Sequence, residues 1–260
     1  MRSLFVLILL SFISCLSAKA EILFEGYYKV TQFKQHIGFL VLRHEIEEKT
    51  NNFKSTSFIK LAKGGFDLTE SYVAASTSEL APVSIKYLAA GKSKTKTTDV
   101  TFKKEKKAVK MVGSTIEDGK KIKINEVVPP GIFLSSALYY IMLRSKDGLK
   151  TGSVFDFKAI TEEGPVVMDG TVAVDKKMVT QDTLQLLSVT NKFAGPEYSN
   201  LITTKGEIIS SFTPATSIES VLVKNKEEAI EGITIKPGTL EQIFKNKPEG
   251  KINVLQTKGK

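Results

Sequence analysis

The alternation of apolar and polar positions along this chain is short-period almost throughout, as expected of strands and not of helices. Residues 24–33 and 37–47 are two β-prone runs parted by Lys34-Gln35-His36, which predicts a hairpin. Further strands are predicted at 53–62, 66–75, 83–89, 94–102, 108–116 and 121–127. The turns between them are rich in Gly, Asn, Asp and Lys, such as Lys63-Gly64-Gly65 and Glu117-Asp118-Gly119-Lys120. After an interruption the rhythm resumes at 152–160, 166–174, 184–193, 198–204, 207–213 and 218–223. Asn225 then stands as N-cap to a short helical turn from Lys226.

The interruption is the long apolar run of the chain outside its first twenty residues, Ile132 to Leu143. Pro130 suits a first helical turn, Arg144 and Lys146 suit the negative end of a helix dipole, and Gly148 suits a left-handed stop. This spacing predicts a helix over 132–146 that is apolar round well over half its circumference and therefore buried on both flanks. Such a helix cannot stand alone, because fixing its backbone costs as much as its burial returns. The predicted fold is mainly β: a strongly curved antiparallel sheet, a half-barrel, wrapped around one central helix. A single domain over 21–236 follows, with 237–260 read as a loose polar tail. An outer-membrane barrel is not expected. The chain has no tryptophan for an aromatic girdle, and predicted strands such as 94–102 carry lysine and threonine on both faces.

Residues 1–20 change the picture of where the protein works. Met1-Arg2, the apolar run from Leu4 to Ile13 and Ala18-Lys19-Ala20 have the three-part form of a signal peptide, so an exported, periplasmic or secreted protein is expected. The single cysteine, Cys15, lies inside this segment. It is either discarded with the peptide or, on a second reading, the lipid anchor of a lipoprotein. On the first reading the mature chain has no thiol, which excludes disulfides and thiol catalysis. Cleavage removes Arg2 and Lys19, leaving 35 basic against 28 acidic residues, a balance of +7. Only Arg43 and Arg144 of the remaining cations are arginine. Nucleic acid is therefore not an expected partner, and lysine points to an anionic envelope surface.

Sequence motifs carry little chemistry. Gly91-Lys92-Ser93 lacks the first glycine of a phosphate loop, since Lys86 holds that place. His36 and His44, the only histidines, have no carboxylate spaced to converge on them, and no nucleophile elbow or zinc-protease motif is present. No catalytic residue, metal ligand or cofactor is assigned. The lysine-rich stretch from Lys92 to Lys123 has two readings: contact with an anionic surface, centred on Lys103, Lys104, Lys106 and Lys107, or lysine guarding edge strands against pairing. Phe133, Ala137, Tyr139, Tyr140 and Met142 likewise either line a ligand groove beneath the sheet or only pack.

Short motifs add a resemblance: Glu25-Gly26-Tyr27-Tyr28-Lys29-Val30, His36-Ile37-Gly38-Phe39, Leu80-Ala81-Pro82-Val83 before Tyr87, and Leu134-Ser135-Ser136-Ala137-Leu138-Tyr139-Tyr140. Their order resembles secreted proteobacterial families of uncharacterised function that look like LolA-type lipoprotein-carrier half-barrels. The resemblance covers about 24–212. It implies a curved antiparallel sheet plugged by a helix and an envelope location, and it carries over no catalytic residue. Pro129-Pro130-Gly131 departs from it, standing where related chains often have an acidic residue. Two functions are then expected: a non-enzymatic periplasmic protein holding a lipid or lipoprotein acyl chain between sheet and helix, or an envelope scaffold with a solid core and a lysine-rich docking surface.

Overall fold

The computed structural model describes residues 20–92, 94–105, 108–146 and 148–256. Residues 1–19 of the expected signal segment, Cys15 among them, and Lys106 and Lys107 lie outside the described residues. Eight strands run first: β1 (Glu21–Gln32), β2 (Gln35–Ile46), β3 (Phe53–Leu61), β4 (Leu68–Ser76), β5 (Pro82–Gly91), β6 (Thr95–Glu105), β7 (Ala108–Glu117) and β8 (Lys120–Val128). Then come β9 (Phe133–Leu134), a 3-10 turn (Ser135–Ala137) and α1 (Leu138–Arg144). Six strands follow, β10 (Val154–Ile160), β11 (Val167–Gln181), β12 (Leu184–Phe193), β13 (Tyr198–Ile202), β14 (Ile208–Thr213) and β15 (Ile218–Val223), and then α2 (Lys226–Ile230) and α3 (Thr239–Phe244).

All fifteen strands belong to one open sheet ordered β8-β7-β6-β5-β4-β3-β2-β1-β15-β14-β13-β12-β11-β10-β9. The chain meanders outward from β1 to β8, crosses to the far edge at β9, and meanders back until β15 pairs with β1. Every neighbouring pair is antiparallel except β9 with β10. Local chemistry sets the hairpins. Asp118 and Gly119 both take positive φ, the turn that matches the strands' twist, and Gly119 does so at no steric cost. The first hairpin closes more tightly than the sequence predicts, on Phe33 and Lys34, both left-handed.

Period-two alternation gives the sheet two faces. In β1–β3, Tyr28, Leu40, Leu42, His44 and Ser57 share the inner face, while Tyr27, Phe39, Val41 and Phe58 share the outer one. Helices α2 and α3 cover that outer set, packing Ala229, Leu240 and Phe244 on it. Asn225 caps α2 as expected, its Oδ1 accepting from the Glu227 amide at 3.1 Å.

Two expectations need correction. The predicted fifteen-residue helix is a seven-residue α1 preceded by a strand and a 3-10 turn. Ile132 and Leu134 pack on Ala74, Ile85, Val100 and Met111 of β4–β7, whereas Phe133 joins Leu138, Tyr139 and Met142 against β10–β13. A strand buried on both faces is apolar at every position, and periodicity cannot tell it from a buried helix. With α2, which the sequence predicts, and α3, which it does not, the described residues hold three short α-helices and no single long central one.

The described part of the predicted loose tail, residues 237–256, is packed. Glu25, on the outer face of β1, accepts from the Glu249 and Gly250 amides at 2.7 and 2.6 Å. Its backbone amide donates to Ile252 and its carbonyl accepts from Asn253. Arg43 beside it donates through Nε and Nη2 to Glu25, and through Nη1 to the Phe244 carbonyl at 3.0 Å and Asn246 Oδ1 at 2.7 Å. Its guanidinium lies 5.2 Å from the Phe244 ring centroid. Composition hides this, because a buried ion pair holds the segment together with a few scattered apolar side chains such as Leu240 and Phe244. Removing one partner of such a pair strands the other charge. Arg43→Ala is therefore expected to destabilise the fold by ~3–5 kcal/mol in urea titrations, with Glu25→Gln/Arg43→Met recovering most of the loss.

Candidate functional site

Most of the inner face is filled, but in the middle a cavity of about 270 Å³ remains between the sheet and the 135–140 segment. It exists because small side chains occupy inward positions there: Ser57 on β3, Ser211 on β14 and Ser220 on β15. Five tyrosines stand around them: Tyr28, Tyr72, Tyr139, Tyr140 and Tyr198. Leu40, Leu42, Leu138 and Ile208 supply apolar wall, and no Asp, Glu, Lys or Arg lines the cavity among the described residues.

Tyr28 and Tyr139 are tied into the frame through their hydroxyls. Tyr28 donates to the Ile208 carbonyl at 2.8 Å. Tyr139 donates to Asn191 Oδ1 at 3.3 Å and accepts from Asn200 Nδ2 at 2.6 Å, which fixes α1 to β12 and β13. The other amide atoms of these two residues, Asn191 Nδ2 and Asn200 Oδ1, are buried without a hydrogen-bond partner. Burial pushes the Tyr72, Tyr139 and Tyr140 hydroxyls well above the usual phenol range, and pushes Tyr198 up to about 12 with help from Glu162 and Glu163. All are neutral at pH 7.

His44 lies in this wall, stacked on Phe53 at 5.5 Å and edge-on to Tyr140 at 5.3 Å. Its Nδ1 has no hydrogen-bond partner, and burial lowers its pKa to about 3. At the start of the helical segment Ser135 Oγ and the Ser136 amide both donate to Glu162. Glu162 thus takes the place of an N-cap from β10's end of the sheet. Burial pushes its carboxyl above the usual range, against those hydrogen bonds. Ser135 and Tyr198 also line a second cavity of about 310 Å³, which holds Glu162 and Glu163.

Of the five groove residues read from sequence, the structure brings Tyr139 and Tyr140 to the cavity. Phe133 packs instead on Phe157, 5.6 Å between rings, Ala137 on Phe53 and Leu80, and Met142 into the β10–β13 cluster. Lys103 and Lys104 are exposed on opposite faces of β6. Ser57, Ser211, Ser220 and Asn200 escape the sequence reading, and His44 enters it only as a histidine without a converging carboxylate; their sign is a small or polar residue at an inward position of an otherwise apolar strand. His36 lies elsewhere, its Nε2 near the Gly38 and Ala229 carbonyls, and no metal-holding cluster occurs among the described residues. No helix among them is long and apolar enough to cross a membrane.

Comparison with known proteins places this geometry in a family. A model described as "Protein of unknown function (DUF3108)" matches residues 27–239. The crystal structure of a beta-barrel-like protein of the domain of unknown function DUF1849, from Brucella abortus, is similar with a TM-score of 0.52 at 12% identity. The match covers 77% of this chain and 95% of that one. At that identity it shows the fold alone. No curated protein matches the chain.

Two measurements check the site. Tyr139→Phe leaves Asn191 and Asn200 both unbonded at their shared partner and is expected to cost ~1–3 kcal/mol in chemical denaturation. The second is stability against pH. His44 titrates near 6.5 when unfolded and near 3 when folded, so below 6.5 the unfolded chain binds a proton that the folded one does not. Melting temperature is expected to fall from pH 6.5 toward 3, this group contributing up to ~1.4 kcal/mol per pH unit, and His44→Gln should flatten the slope. Glu162 acts oppositely, losing stability as pH rises above the usual carboxylate range.

Proposed function

The chain belongs to the DUF3108 family of proteins of unknown function, and we propose that it is a non-enzymatic cell-envelope protein that binds one slender amphipathic ligand. The ligand class is a lipid or lipoprotein acyl chain, held between the half-barrel sheet and α1 as the plug on its inner side. Residues 1–20, in the form of a signal peptide, support the envelope location. The observation that carries the reading is the uncharged cavity of about 270 Å³ beside Tyr139 and Tyr140.

Its size and chemistry narrow the ligand. Drug-sized pockets run from about 300 to 1,000 Å³, so this one suits one chain or chain end and not a whole two-chain lipid. With no countercharge in the wall, a charged group would enter at a large desolvation cost. Hydroxyls and amide groups at Ser57, Ser211, Ser220 and Asn200 suit a neutral oxygen of an ester, amide or alcohol. Leu40, Leu42 and Ile208 suit the methylenes next to it.

Native mass spectrometry after gentle purification is expected to show a co-purifying monoacyl species, and a monoacylglycerol should raise the melting temperature. Ser211→Phe, which fills the cavity from β14, is expected to abolish that shift by at least tenfold in affinity while the apo protein still melts cooperatively. A clean apo mass together with no shift from any monoacyl ligand overturns the proposal in favour of a scaffold.

A further inference from the structure

The two edges of the sheet are unlike. β9 is two residues long, and Ile132, Phe133 and Leu134 are all buried, so that edge offers nothing to a partner. β8 is nine residues long, and Val128 alone of them is buried. Its pairing with β7 runs unbroken from Glu117↔Lys120 to Val109↔Val128, without a bulge, and proline appears only after it, at Pro129. Natural sheets blunt free edges by shortness, bulges, proline or charge; of these β8 has charge alone. It also shows apolar surface at Ile122 (48% exposed) and Val127 (66%).

From this edge we infer an interaction site: β8 accepts an extended, acidic segment of a partner protein as a sixteenth, pairing strand. Backbone donors and acceptors along about 30 Å of strand supply the pairing. Charge selects the occupant. Residues 94–128 hold ten lysines against five acidic residues, a balance of +5, so two copies of this wing repel. Lys120, Lys121 and Lys123 of β8 form no ion pair among the described residues, leaving them to meet Asp or Glu at alternate positions of an incoming strand. The lysines thus guard the edge against a second copy, as one reading of the sequence has it, and attract an acidic strand.

A fluorescein-labelled decapeptide of alternating Glu and Val, titrated against the full mature chain, tests this. Saturable binding is expected, with slowed hydrogen exchange at β8 amides. Lys121→Glu/Lys123→Glu should weaken binding at least tenfold without changing the melting temperature. The fully N-methylated peptide, equal in charge but lacking amide donors, should not bind. Equal binding of the methylated peptide, unchanged exchange at β8, or binding of phosphatidylglycerol vesicles but of neither peptide would each overturn strand addition.

Discussion

Covering the inner face of the sheet is the constraint on which the rest depends. A twisted sheet of fifteen strands exposes two faces, and apolar residues line the inner one from Met111 on β7 to Val172 on β11. No single helix is wide enough to shield both halves. The segment from Ile132 to Met142 solves this by facing two ways: Ile132 and Leu134 close on β4–β7, and Phe133, Leu138 and Met142 close on β10–β13. Ala137 and Tyr140 bridge to Phe53 and Leu80. The sheet is rolled because this one segment contacts both halves, and it stays open because β9 packs on a face instead of pairing with β8.

Polar groups then set the register of what apolar packing brings together. Tyr139 fastens α1 to two strands through Asn191 and Asn200, and Glu162 caps the turn before it. On the outer face Glu25 and Arg43 gather the C-terminal segment around one buried ion pair. Packing is close where glycine permits it: a Cβ on Gly170 of β11 would lie 2.4 Å from the Phe157 ring and 2.8 Å from the Phe193 ring, so this glycine makes room for the aromatics of β10 and β12 on either side. The hollow at Ser57, Ser211 and Ser220 stands out against this, a place where larger residues would fit and none occurs.

Much of the fold was legible in the chain. Fourteen of the strands follow from short-period patterning and from turns such as Asp118-Gly119, and a mainly β, half-barrel-like sheet followed from them. What failed to read was non-local. Ile132-Phe133-Leu134 resembles the start of a helix because burial from two sides erases alternation. Residues 245–256 look like a tail because Glu25, more than two hundred residues away, holds them. Tyr139 and Tyr140 were legible as cavity-lining residues from their place in the apolar run, whereas the serines opposite them carry meaning only once the register assigns them to the inner face. A 12% identical structural neighbour described as beta-barrel-like supports the half-barrel-like form and nothing finer.

Hydrogen exchange of the segment from Ile132 to Met142 tests the central claim most directly. A segment clamped between both halves of the sheet has no local route to solvent, so its slowest amides should exchange only through global unfolding, with an opening free energy equal to that from denaturant titration and falling in parallel with it in urea. Exchange of all these amides by a denaturant-independent local opening, several kcal/mol below the global value, would contradict it.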